Sequence, residues 1–213
     1  MPGKRLLMRL LRRLVFPVLV ILWIWLVLYP NPANLVFSVQ RIFDPNVDPE
    51  AAAPLAAQMP PDPEAIEEAV LEIVPYSYDW QTYGMPWYCP TVEQILDKGK
   101  GDCKARALLL ASLLEAKGIP YTLNYSPVHV WVHYESKQPT VSENDQVSFY
   151  TQDPETGERS WHMPSIPFRA IWDEFCDDLW WPMPVARKVL LFIGLILLVW
   201  LRIRHWNWVK GVS

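Results

Sequence analysis

"LVFPVLVILWIWLVLY", residues 14–29, runs sixteen positions without a charge and is led into by "LLMRLL". With its flanks it reaches the roughly 20 apolar residues that a helix needs to cross a bilayer core. Trp23, Trp25 and Tyr29 sit toward its far end, where aromatic rings favour the interface. A cleaved signal peptide has a similar charged start and apolar middle. Yet "PNPANLVF" offers no small-x-small cleavage site, and "AAAPLAA" at 51–57 lies too far downstream, so the run reads as a retained anchor.

A second apolar run, "VLLFIGLILLVWL", occupies residues 189–201. Its 13 residues make roughly 20 Å of helix. That reaches across a bilayer only if the helix starts near Met183 and Arg187 and Lys188 snorkel outward. The expected spans are 14–29 and 183–203, with a basic leader at 1–13 and a short tail at 204–213. Trp180 and Trp181 would then mark the outer interface.

Charge supports this division. All 23 acidic residues lie between Asp44 and Asp178, whereas residues 1–30 hold Lys4, Arg5, Arg9, Arg12 and Arg13. The segment 31–182 carries 9 basic and 23 acidic residues, a balance of −14. Such a segment repels nucleic acid, whose binding rests on neutralised phosphates. Five positive charges ahead of the first span place the N-terminus in the cytoplasm. Two spans return the C-terminus there, so the acidic segment is expected outside the cytoplasm, on the plasma (inner) membrane, with the lipid bilayer as one partner.

Residues 30–61 contain seven prolines and the stretch "DPEAAAPLAAQMPP", which reads as an extended spacer. The pattern changes at Asp62, a capping residue before Pro63, with Ile66, Ala69, Val70 and Ile73 on one helical face. Pro75 ends that helix. The aromatic, turn-rich "YSYDWQTYGMPWYCP" follows. Thr91 and "VEQIL" make a short capped helix that stops near Gly99. Asp102 then caps a helix beginning at Cys103, with Ala105, Leu108, Leu109, Ser112, Leu113 and Ala116 at helical spacing and Gly118 as the stop. "YTLNYSPVHVWVHYE" alternates as a strand, with His129, Trp131 and His133 on one face. "QVSFYTQ" is a further strand, and "DPETGE" a hairpin turn before "RSWHMP". Helices followed by strands predict an α+β domain over residues 62–182.

Cys89, Cys103 and Cys176 form no metal spacing; Cys89 and Cys176 are a possible pair in an oxidising compartment, leaving Cys103 free. A cysteine in a first helical turn meets unpaired backbone donors and the positive end of the macrodipole, which favour a thiolate. Lys104 and Arg106 add positive charge, and Asp102 opposes them. An imidazole within reach completes the activation and later protonates a leaving amine. His129, 26 residues on, is the candidate; His133 shares its face as a decoy, His162 lies beyond the turn and His205 in the C-terminal tail.

"GDCKARALLLASLLEAKGIP" followed by "HVWV" resembles the core of the transglutaminase-like superfamily, relatives of papain-fold cysteine enzymes. The resemblance covers about residues 62–165. It implies a nucleophile at the start of a buried helix, a histidine on an antiparallel sheet, and a Cys-His-Asp triad acting on amides through an acyl-thioester. Cys103 matches the nucleophile and His129 the base. The acid falls on Asp153, in "SFYTQDP", with Asn144 and Asp145 as alternatives.

The expected activity is that of a membrane-anchored peptidase or transamidase acting on a peptide or protein substrate. The competing class is a noncatalytic domain of the same fold that binds a peptide or a membrane partner. No HExxH, CxxC or glycine-rich phosphate loop is present, so no metal or cofactor is expected. The sequence leaves the oligomeric state unknown.

Overall fold

The computed structural model describes residues 2–126, 129–137, 143, 150–152, 159–161, 169, 172–173 and 175–211. The chain divides into two units, Met1–Asn34 with Met183–Ser213, and Leu35–Pro182.

The first unit is a pair of long helices, α1 (Pro2–Leu28) and a C-terminal helix, Val185–Gly211, that closes the chain as α8. They run antiparallel. The Arg187 guanidinium donates to the Val27 carbonyl at 2.9 Å, and the Trp23 indole N–H donates to Leu191 O at 3.2 Å. Gly194 makes the second contact possible, because a Cβ there would fall 2.0 Å from the Trp23 ring. Arg187 supplies a donor and a positive charge to carbonyls that the last turn of α1 leaves unpaired. Leu14, Val18, Ile21 and Leu22 of α1, and Phe192, Ile193, Ile196 and Leu197 of α8, point outward and exposed. Among the described residues no single helix is long and apolar enough to cross a membrane. The runs Leu14–Leu28 and Ala33–Phe43 taken together meet the requirement by length and composition.

The second unit is α+β. Residues 30–61, expected as an extended spacer, instead carry α2 (Ala33–Phe43) and α3 (Pro49–Ala56). Asp48 caps α3 by accepting from Ala51 N, and Pro49 fits the first turn, where no amide donor is needed. Ala52 and Ala56 then pack into the core. Small side chains that read as linker thus serve a close helix contact. The helices α4 (Pro63–Ile73) and α6 (Val92–Lys98) begin at Asp62 and Thr91 as expected, the latter with a full capping box and Gly99 in the left-handed region at φ 56°. A short turn of helix, α5 (Asp79–Thr82), interrupts the aromatic loop.

Helix α7 (Cys103–Ala116) is the centre of the unit. Nine of its 14 residues are buried, including the unbroken run Ala107–Leu114, because α3, α4, α6 and the sheet enclose it. The expected one-sided apolar face was too narrow a reading of a helix surrounded on all sides.

The stretch read as one strand after Gly118 is two: β1 (Thr122–Tyr125) and β2 (Val130–His133), paired antiparallel with Tyr125 opposite Val130. Ser126 closes the connection, its N–H donating to His129 O at 2.8 Å and its hydroxyl oxygen accepting from His129 N at 2.8 Å. Strands β3 (Tyr150–Gln152) and β4 (Arg159–Trp161) form the expected hairpin pair. The sheet order is β2-β1-β3-β4, so β1 lies between β2 and β3.

Candidate active site

Cys103 is the first residue of α7 because Asp102 caps it: the Asp102 carboxylate accepts from Lys104 N at 3.0 Å and Ala105 N at 3.3 Å. Gly101 sets the approach. Its N–H donates to Pro75 O at 3.2 Å, and its own carbonyl accepts from Ser77 N at 2.9 Å, tying the start of α7 to the end of α4. Helix α7 packs against β2, and the Val130 backbone favours the Cys103 thiolate. His129 immediately precedes Val130.

Cys103 and His129 line one cleft of about 210 Å³. Trp131, Tyr76, Arg106 and Glu143 share its walls. The His129 ring stacks on buried Trp131, centroids 5.8 Å apart and planes 11° from parallel, as alternate residues on one strand face can. The structure therefore brings the expected nucleophile and base to a common space.

Protonation is governed by burial. The protein around Cys103 removes solvent from the thiolate and pushes the thiol up to about 12; Asp102 and Asp178 add to this, while Lys104 and the Val130 N–H oppose it. His129 is lowered by loss of solvation, opposed by Glu143, with Lys137 lowering it further and Asp102 raising it. Burial thus disfavours the charged form of both groups. A helix N-terminus alone does not outweigh burial here.

The expected role of Lys104 changes for the same reason. Rather than facing the thiol as a free cation, Lys104 is buried between two carboxylates, bonded to Asp102 and lying 3.0 Å from Asp79. Asp79 also accepts from Tyr88 N at 2.6 Å. Its other oxygen, like the Tyr83 hydroxyl, is buried without a hydrogen-bond partner among the described residues. Burial raises Asp79 to about 7, against the pull of Lys104.

Comparison with known proteins returns nothing. No family model, no curated protein and no solved structure matches this chain.

Reading Asp153 as the acid sets its strand directly beside that of His129. Instead β3 pairs with β1, Gln152 opposite Leu123, and Leu123 in turn faces Val132. Asp153, Asn144 and Asp145 lie outside the described residues, as does His162. Among the described residues the carboxylates that act on His129 are Asp102 and, with the larger effect and a place in the cleft wall, Glu143. It is held by Lys137, whose ammonium lies 2.9 Å from Glu143 Oε1, 2.8 Å from Glu67 Oε1 and 2.9 Å from Val132 O.

Sequence reasoning passed over Glu143, Lys137 and Glu67. Glu143 sits in a polar connection with no periodicity, and only the three-way bond of Lys137 reveals its place. His133 is exposed, away from this pair. Cys89, Cys103 and Cys176 are all free thiols, so the possible Cys89–Cys176 pair is not formed. Among the described residues no group of His, Cys, Asp and Glu is arranged to hold a metal ion.

Proposed function

We propose that this chain is a membrane-anchored, transglutaminase-like cysteine enzyme that attacks amide bonds outside the cytoplasm through an acyl-thioester. The observation that carries the reading is the shared cleft: Cys103, at the start of α7, and His129, just ahead of β2, line the same space.

The reaction starts from the neutral form of both groups. His129, its charged form disfavoured by burial, has a free lone pair and takes the thiol proton as the sulfur approaches a carbonyl carbon. The S–C bond forms, the C–N bond breaks, and the imidazolium returns its proton to the departing amine. Water or a second amine then resolves the thioester and restores the thiol. The first outcome is hydrolysis, the second transamidation. Glu143 favours the imidazolium formed on the way, and Trp131 fixes the ring plane.

The anchor reading rests on the exposed apolar side chains of α1 and α8 and on the basic residues flanking them. In intact cells, protease added outside should digest residues 62–165 and spare both termini; protection of that segment would reverse the orientation or remove the anchor.

A second reading, a noncatalytic domain that binds a peptide in the same cleft, is favoured by the raised pKa of the Cys103 thiol. A peptide probe that leaves its acyl group on thiols separates the two. With the full chain in detergent, the acyl adduct should map to Cys103 and vanish in His129→Ala. Equal labelling with and without His129, or none at Cys103, would favour the binding domain.

A further inference from the structure

Two cations line the cleft, and they differ in their partners. Glu67 stands near one end of α4, with Lys137 and Glu143. Val74, which follows α4, stands at the other, seven residues or about 10 Å along the helix axis. At the first end the single cation is committed: Lys137 is bonded by two carboxylates and a backbone carbonyl. At the second end the cation is Arg106. Its Nε donates to Val74 O at 2.8 Å, and the guanidinium lies 5.4 Å from the Tyr76 ring centroid. Among the described residues no carboxylate forms an ion pair with it. A guanidinium has five donors, so the Nε bond and the ring contact fix its plane and leave the outer amino groups for a ligand.

Arg106 is one helical turn from Cys103, on the same face of α7, and both line the cleft. Residues so spaced have Cβ atoms about 5–6 Å apart. An anion held by Arg106 therefore lies within a few bonds of a carbon bonded to the Cys103 sulfur. Planar forked donors match a carboxylate in two parallel hydrogen bonds.

We propose that Arg106 is a specificity residue, and that the substrate amide carries a carboxylate close to its scissile bond. This inference rests on Cys103 being the reactive group of the cleft. The carboxylate belongs either to a chain terminus, making the substrate a peptide cut near its C-terminal end, or to an acidic side chain beside the attacked bond. Uncharged amides bind without this anchor and react more slowly.

The test compares two small electrophiles on the full chain at pH 9, with the modified residue mapped by mass spectrometry. Iodoacetate carries a carboxylate and iodoacetamide does not; both lose iodide to the thiolate. Expected is a rate ratio, iodoacetate over iodoacetamide at Cys103, that falls about tenfold or more in Arg106→Gln, the loss of a charge-assisted anion contact. Arg106→Lys keeps the charge and should retain most of the ratio, which also guards against a glutamine variant that fails to fold. Protection of Cys103 by peptides then separates the two sources: N-acetyl-trialanine with a free terminus, its C-terminal amide, and N-acetyl-Ala-Glu-Ala amide. Protection by either carboxylate peptide above the neutral one supports the assignment and identifies the source. An unchanged ratio in Arg106→Gln, equal protection by all three peptides, or no modification by either reagent overturns it. Amide cleavage that needs Cys103 but ignores Arg106 would sink this inference alone. An Arg106-dependent ratio without cleavage would leave only the anion contact at Arg106 and overturn the enzyme together with its substrate assignment.

Discussion

Gly101 packs so closely on Ala105 that a Cβ at position 101 would lie 2.4 Å from the alanine Cβ. The contact is what lets the chain leave α4, pair Tyr76 with Gly101, and enter α7 within two residues. Gly101→Ala should force the start of α7 away from Val74, at an overpacking cost of about 1–3 kcal/mol. The measurement is urea unfolding of the detergent-solubilised chain, together with peptide labelling of Cys103. Wild-type stability and labelling would show that the turn relaxes freely.

Asp79 provides a pH test of the buried triad. Its folded-state pKa is raised to about 7 from 3.8, by burial first. Between those values the folded state binds the proton more tightly than the unfolded chain does. The stability this group contributes is therefore complete below about pH 4 and lost as pH rises through 7. Asp79→Asn should remove that downward slope, read as the difference between wild-type and variant unfolding curves from pH 4 to 8. An unchanged difference across this range would place the titration elsewhere. Lys104→Met, by contrast, leaves Asp79 and Asp102 buried without their cation and should cost about 3–5 kcal/mol.

The resting thiol is protonated. With Cys103 pushed up to about 12, labelling by iodoacetamide should climb about tenfold per pH unit from 7 to 10 without a plateau, since the thiolate is the nucleophile. Levelling near pH 7 would instead reveal a preformed thiolate–imidazolium pair. The raised value also has a stability consequence: the folded state keeps this proton where the unfolded chain begins to lose it, so stability falls as pH rises from about 9 toward 12.

Glu143 opposes the lowering of His129, so its removal should depress the imidazole further. Glu143→Gln is expected to move the acid limb of the activity profile to lower pH and to slow turnover by more than tenfold, within the 10²–10⁴ that a positioned acid–base group contributes. Asp153→Asn, Asp145→Asn and Asn144→Ala are the comparison set. Collapse in one of these three, with Glu143→Gln at wild-type rate and unshifted profile, would assign the imidazole's partner elsewhere.

What could be read in advance was local. Asp62, Thr91 and Asp102 each announced a helix start, because a capping side chain acts on donors two or three residues away. Cys103 and His129 were legible for the same reason, each marked by its own element. The sheet order was not: a tyrosine-rich alternating stretch conceals the turn at Ser126, and nothing local says that β1 rather than β2 takes β3 as its neighbour. The helical nature of 33–56 was hidden by its prolines, which sit at permitted first-turn positions or inside a helix, as Pro54 does. The Asp79–Lys104–Asp102 and Glu67–Lys137–Glu143 groups join residues up to 70 positions apart, and neither has a linear signature.

The Arg187–Val27 contact joins residues 160 positions apart, and this sets an order of events during synthesis. At about 5–20 residues per second, roughly 8–32 s pass between the emergence of the first helix and that of its partner. Throughout that interval the indole of Trp23 lacks the Gly194 surface on which it rests, and α1 lacks the guanidinium at its last turn. The whole intervening unit, with the cleft and its thiol, is therefore synthesised before α8 exists to pair with α1.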